Sequence, residues 1–378
     1  MPKKEEKKIK VLHIIPKITF GGAENIVLQL CESSSKKNFS AALLTIFKSM
    51  YIPKKNAKSK IYIIRKKTNK IWNYLVSIQW VIRNNSFFKK FHIIHLHLTQ
   101  AKILGIIILL LRKIYRQKYP LIIETYHAAG LQMPKIQEWL NKKISSLFDG
   151  LVLVAKDNNW ADFDPQRIQN IRNSFLPCLN KISQKKCNQF LRNIGVSSNR
   201  RFCVGTLGLF RPERRPLQIL EVFFEIAIRT PSDVHFIFSG DGILKNKIFQ
   251  RTKEKNLLER IHFPGLARNP YMHFSVMDLC ITLNTGSSTG VAGLESIHMG
   301  VPAVGLQIQE KYKARSEDLI WSSPCPRQVA EKAVLLLSRP RLLSNTASRQ
   351  KKILSRLHDG KRMVLKYEMF YRRVLAQN

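Results

Sequence analysis

The sequence predicts an α/β protein made of two Rossmann-like halves, each a parallel sheet covered by helices. Three observations carry that reading. Short apolar runs alternate with helical stretches along most of the 378 residues, the pattern of parallel strands covered on both faces. The alternation breaks off in a polar stretch and then resumes, giving two series of similar size. Late in the second series, Thr285-Gly-Ser-Ser-Thr-Gly-Val-Ala-Gly293 joins an apolar run to a helical one. Small residues there let a ligand approach the backbone and meet the unpaired N–H groups of a helix start.

In chain order, 9–15 reads as a buried first strand, Gly21-Gly22 closes the loop after it, and 23–33 reads as a helix. This is the order of a mononucleotide-binding unit without the G-x-G-x-x-G spacing. Further strands are expected at 41–47, 61–64, 92–96, 121–125 and 150–154, with covering helices at 71–83 and 101–114. His95 and His97 share one strand face; with no Cys or acidic neighbour they read as hydrogen-bonded strand-end residues rather than metal ligands. His127 follows the 121–125 strand on a loop at its carboxyl end, the edge where open parallel sheets bind ligands. A structural histidine is the alternative at that position.

The stretch 168–175 ends the first series, so 1–178 forms the first domain, 179–200 a polar connection with helical spacing at 187–194, and 201–358 the second domain. The second domain has expected strands at 202–207, 234–239, 261–263, 279–283 and 303–306, and a helix at 217–228. Loop 208–216 brings Arg211, Arg214 and Arg215 to the end of its first strand. Guanidinium groups there suit a diphosphate without a metal, solvated surface arginines being the alternative. After strand 279–283, the loop residues Ser287, Ser288, Thr289, Gly290 and Val291 offer backbone to a phosphate. Glu295, about one and a half turns into the helix, reaches a hydroxyl beside it. Gly300-Val-Pro302 stops that helix. Two such halves place a ligand cleft between them.

The formal net charge of +39 raises nucleic acid or anionic membrane as partners. Its even spread over both halves, without a zinc-finger, RRM or KH signature, argues against nucleic acid. One segment stands apart: residues 51–120 hold sixteen Lys and Arg and no Asp or Glu, interleaved with Trp72, Tyr74, Trp80, Phe87 and Phe88. That mixture suits an anionic lipid surface and equally the solvated faces of globular helices. The longest apolar run, 103–111, is too short to span a bilayer, and the first residues do not read as a signal peptide. Cys31, Cys178, Cys187, Cys203, Cys280 and Cys325 are scattered without a C-x-x-C pair, as expected of reduced thiols in a cytoplasmic protein.

In their order and spacing, these features resemble the retaining GT-B glycosyltransferases of the large family four. The resemblance runs through Gly21-Gly-Ala-Glu24, His95-Leu-His97, Thr125-Tyr-His127, Ile171-Arg-Asn173, Ser239-Gly-Asp-Gly242 and Phe263-Pro-Gly265. It continues through Asp278-Leu-Cys280 and Leu294-Glu-Ser-Ile-His-Met-Gly-Val-Pro302 to the closing segment Lys366–Leu375. It implies that helix 359–378 crosses back onto the first domain. It also implies that Glu295 binds the nucleotide ribose, that 286–291 contacts phosphate, that Gly21 and Gly22 close over the donor phosphate, and that His127 meets the donor sugar. Two positions depart from the family pattern. Leu209 stands where the first of two diphosphate-binding cations is usual, leaving Arg214 with Arg211 as a candidate substitute, and Ser287 replaces a sugar-gripping glutamate.

The resemblance implies transfer, with retention, of a sugar from a nucleotide-diphosphate donor to a glycan or lipid-linked acceptor. The setting would be lipopolysaccharide, capsule or exopolysaccharide synthesis. His127, Arg214 and Glu295 would be catalytic, with no metal or other cofactor, on the cytoplasmic side of the inner membrane with peripheral contact to anionic lipid. The alternative is a catalytically degenerate GT-B protein acting as a binding or scaffold partner.

Overall fold

The first alternating series folds into one all-parallel sheet. Its elements are β1 (Ile9–Ile15), α1 (Gly22–Ser33), β2 (Phe39–Thr45), β3 (Lys60–Ile63), α2 (Lys70–Arg83), α3 (Asn85–Phe88), β4 (Ile93–His97) and α4 (Thr99–Ile114). They continue with β5 (Leu121–Tyr126), α5 (Lys135–Ser145), β6 (Gly150–Leu153) and β7 (Ile168–Asn170). The strand order is β3-β2-β1-β4-β5-β6-β7. The computed structural model of the chain describes residues 8–19, 21–34, 38–49, 60–64, 70–127, 135–154, 160, 163–174, 182–196, 199–285, 288–308 and 318–378.

The second series forms its own parallel sheet, entered through α6 (Gln184–Asn193). It comprises β8 (Phe202–Leu207), α7 (Pro216–Ala227), β9 (Val234–Ser239), α8 (Lys245–Glu254), β10 (Ile261–His262), α9 (Pro270–Phe274), β11 (Leu279–Thr285) and β12 (Ser288–Thr289). It ends with α10 (Val291–His298), β13 (Ala303–Gln307), β14 (Ser322–Ser323), α11 (Pro326–Leu337) and α12 (Pro340–Leu357). The order is β10-β9-β8-β11-β13-β14, with β12 antiparallel on β11. A last helix, α13 (Gly360–Gln377), follows. The described residues up to 174 and those of α13 make one unit, and residues 182–359 make the other.

Alternation along each strand explains how the sheets are covered. On β1, Leu12 and Ile14 enter a core with Val81 of α2 and Leu104 and Ile108 of α4. Val11, on the other face, enters a core with Ile26 and Leu30 of α1 and Met363, Tyr367, Phe370 and Tyr371 of α13. Both faces are buried, so the strands read as continuous apolar runs. In the second unit, Phe223 and Ile226 of α7 pack with Phe236 and Phe238 of β9 and with Ala330 and Ala333 of α11. α10 stops at Gly300, whose φ of +87° favours glycine.

Within residues 179–200, the helical spacing expected at 187–194 corresponds to a helix that starts three residues earlier. From Gln184 the chain forms α6, with Cys187 and Leu191 buried, because the apolar residues of that polar stretch fall one helical turn apart and find a surface to cover.

Candidate functional site

On the second sheet, β8 and β11 are parallel neighbours, with Leu279 opposite Val204 and Cys280 opposite Gly205. Their carboxyl ends therefore open on the same edge, where open sheets take ligands. From β8 the chain enters the arginine loop, with a 3-10 turn at Pro212–Arg214 and with Arg211 and Arg214 exposed. The neighbouring turn braces this loop. Gly208 N–H donates to Ser239 O at 3.0 Å, Phe210 N–H to Asp241 O at 2.9 Å, and Leu244 N–H to Phe210 O at 3.0 Å. A Cβ on Gly240 would lie 2.1 Å from Gly208 O, so no larger residue allows this approach. The Ser239-Gly-Asp-Gly242 motif thus serves the position of the arginines.

From β11 the chain doubles back, Asn284 pairing with Thr289 and Thr285 with Ser288. Gly290 then begins α10 with no side chain bonded to the cap and no acidic residue in the first turn. Thr289, Gly290 and Val291 are half-buried and Glu295 is 5% exposed. A helix start of this kind carries partial positive charge and N–H groups for an anion. Ser287 lies outside the described residues.

On the first sheet, Gly21 caps α1 and Gly22 is its first residue. Glu24 sits in that first turn and accepts a hydrogen bond from the Thr19 hydroxyl. The start of α1 therefore already faces a carboxylate, and an anion at Gly21 and Gly22 would share the space with it.

The larger construction is at the ends of β1, β4 and β5. His13 lies opposite His95 across β1 and β4. His13 Nδ1 is 3.0 Å from His97 Nε2, and His97 Nδ1 is 3.2 Å from His127 Nε2. His95 Nδ1 lies 2.6 Å from Tyr371 Oη, and its Nε2 lies 2.8 Å from Thr125 Oγ1, which in turn is 3.3 Å from Tyr367 Oη. His13, His95 and His97 are fully buried and His127 is partly exposed. Burial disfavours the imidazolium. It lowers His13 to about 3 and His127 to about 4, and holds His95 and His97 well below the usual histidine range. All four rings are neutral at pH 7.

Ring nitrogens of His13, His95 and His97 lie within 4.8 Å of one another, close enough to share an ion. Every ring nitrogen of the three except His13 Nε2 is hydrogen-bonded, and the group contains no carboxylate to offset a dication. The arrangement reads better as a hydrogen-bonded network.

The candidate residues fall into two sets. Gly21, Gly22 and His127 belong to the first unit; Arg211, Arg214, Ser288 to Val291 and Glu295 belong to the second. Sequence reasoning missed four participants. His13 hid inside an apolar strand, its parity with Val11 and Ile15 being the usable signal. Tyr367 and Tyr371 stand one helical turn apart in α13, but nothing local says which strands they meet. Asn284, buried at the end of β11, has an Oδ1 with no hydrogen-bond partner among the described residues.

No family model matches the chain. It is 25% identical over 225 residues to the O-antigen biosynthesis glycosyltransferase WclY of Escherichia coli, covering 57% of this chain and 61% of that one. It is 24% identical over 193 residues to the N-acetyl-alpha-D-glucosaminyl L-malate synthase of Bacillus anthracis, covering half of each. The chain thus spans between half and three fifths of the length of these curated relatives. Among solved structures, it matches Anabaena HepE in complex with UDP and glucose with a TM-score of 0.75 at 14% identity, over 96% of this chain and 98% of that one. It matches WaaG, a glycosyltransferase involved in lipopolysaccharide biosynthesis, with a TM-score of 0.68 at 12% identity, over 94% and 98% of the two chains. Two parallel-sheet Rossmann-like units with these structural neighbours make this a GT-B fold.

Proposed function

We propose that the protein is a glycosyltransferase. It moves a sugar, with retention, from a nucleotide-diphosphate donor to a glycan or lipid-linked acceptor in cell-surface polysaccharide synthesis. The observation that carries this reading is the edge of the second sheet. Adjacent parallel strands bring together an exposed arginine loop, a helix start with no acid of its own, and a buried glutamate. Cations and backbone N–H groups suit the diphosphate, and Glu295 suits the ribose hydroxyls. Similarity to WclY and the UDP-bound fold neighbour support the substrate class.

In this mechanism Arg214 and the start of α10 stabilise the departing diphosphate. His127 contacts the donor sugar, and the acceptor hydroxyl attacks from the leaving-group face, with a phosphate oxygen taking its proton. No metal is required. Titration of the protein with a panel of nucleotide-diphosphate sugars, followed by turnover assays with any binder, tests the reading. Binding with transfer supports it; binding without transfer across a broad acceptor panel favours a degenerate binding protein. Inversion of the anomeric centre in the product would remove the retaining step alone.

An anionic membrane surface is the partner we assign to the first unit. Ile114 at the end of α4, Tyr115 just after it, and Ile136, Trp139 and Leu140 of α5 are exposed. Lys113, Arg116 and Lys118, all exposed, flank the first two in sequence, and exposed Lys143 follows the other three. Apolar and aromatic side chains set among cations suit the headgroup region. Among the described residues no helix is long and apolar enough to cross a membrane. Vesicles containing anionic lipid should retain the protein and neutral ones should not; Trp139→Ser with Ile136→Ser should release it. Equal retention on both vesicles counts against this partner.

A further inference from the structure

Three of the four clustered imidazoles form a single file that runs from a buried end to a reachable one. His13 Nδ1 meets His97 Nε2 at 3.0 Å, and His97 Nδ1 meets His127 Nε2 at 3.2 Å. His95 stands beside the file, its ring centroid 4.2 Å from that of His97. Both its nitrogens are occupied, one by Tyr371 and one by Thr125. Both partners are hydroxyls that can donate or accept, so His95 is satisfied in either tautomer and sets no direction for the file.

A neutral imidazole has one N–H. Three such rings have three protons for two hydrogen bonds, so the third proton must sit at one end of the file. If His97 donates toward His127, His13 must donate toward His97, and the spare N–H is His127 Nδ1. If His97 donates toward His13, the spare N–H is His13 Nε2. The two ends are not equivalent. His13 is fully buried, and its Nε2 has no partner among the described residues. A buried N–H without an acceptor is rarer in proteins than an acceptor left bare. His127 is partly exposed, where water or ligand can accept its proton.

We propose that His13 and His97 are positioning residues that fix the tautomer of His127, so that it presents Nδ1–H as a donor at the edge of the first sheet. What that donor meets rests on the proposed function: an oxygen of the donor sugar or its phosphate. The direction of the file does not depend on that reading. Neither His13 nor His97 touches substrate; each acts through the next ring.

The test is a long-range 1H–15N correlation spectrum of the full chain labelled at histidine, at pH 7, with His127 assigned from His127→Gln. Nδ1–H on His13, His97 and His127 is the expected result; His127 protonated on Nε2 overturns the proposal. One equivalent of zinc retained by the purified chain and lost in His13→Leu overturns it as well. His13→Gln keeps a donor for His97 Nε2, whereas His13→Leu does not. The leucine variant should raise the donor KM roughly three- to tenfold, and the glutamine variant should restore it. Equal effects of the two would mean that packing, not proton direction, is at work, and would overturn the proposal. If both variants fail to fold, the wild-type spectrum still decides. Donor binding unchanged in His127→Ala counts against the functional reading of that residue alone.

Discussion

The two sheets end their carboxyl edges with opposite chemistry. The first is filled by neutral buried rings and hydroxyls hydrogen-bonded to one another, His13 Nε2 excepted among the described residues, and its helix α1 begins beside Glu24. The second exposes guanidinium groups, and its helix α10 begins without an acidic residue in the first turn. The same strand-loop-helix geometry thus gives an anion-seeking edge in one unit and, in the other, an orienting edge whose helix start already holds a carboxylate. Helix starts are alike in their dipole; the residue in the first turn decides whether that dipole is available.

The sharpest way to break this contrast is to remove its scaffold on one side only. Ending the chain after Asp359 takes Tyr367, Phe370 and Tyr371, all almost wholly buried, from the first core. At about 3–5 kcal/mol for each large buried side chain, the first unit should not stay folded. Calorimetry should show one transition lost, and binding of a nucleoside diphosphate should survive if anion affinity belongs to the second unit.

A smaller loss is expected from Lys102→Met. Lys102 pairs with Glu124 at 2.7 Å, and both are buried with Ser145. Burial raises the Glu124 carboxyl while Lys102 and Ser145 oppose that rise. An orphaned carboxylate there should cost about 3–5 kcal/mol in urea unfolding, and Glu124→Leu in the same chain should recover most of it. On the other edge, Arg214→Ala and Glu295→Ala should each lower kcat by roughly 100-fold or more. Transfer unaffected by both would move the chemistry elsewhere.

The pH response sharpens the comparison further. For His13 the folded value lies near 3 against an ordinary 6.5, so at pH 5 the unfolded chain binds a proton that the folded chain does not. Its stability contribution is therefore fully present above about pH 6.5 and falls as pH drops toward 3. The slope is about 1.4 kcal/mol per pH unit through most of that window, and His95 and His97 act in the same direction. Urea midpoints at pH 7 and pH 5 measure the slope, and a flat profile would contradict the buried network. The smallest effect should come from Tyr371→Phe. It removes the hydroxyl facing His95 and should cost about 1 kcal/mol.

Much of this fold is legible in the chain because the strands are nearly continuous apolar runs between helical stretches. β1, β8 and β9 have the bounds that their residues predict. The two-residue strands β12 and β14 are not legible, since Ser288–Thr289 and Ser322–Ser323 have no apolar pattern and pair only because of where neighbouring strands end. The site divides similarly. Arg214, Gly290 and Glu295 sit on local motifs that can be read from spacing. The histidine file cannot, because His13 and His97 are 84 residues apart and meet only once β1 pairs with β4.

That pairing has a consequence for synthesis. His95 receives its Tyr371 partner from 276 residues further along the chain, so at ribosomal speeds of about 5–20 residues per second it waits tens of seconds for its cap. The second unit is complete before then. The unit translated first is therefore the one finished last, and in the interval it exposes the half-built face that α13 will cover. A nascent chain arrested before Lys366 should present that face to chaperones, whereas one arrested after Leu375 should not.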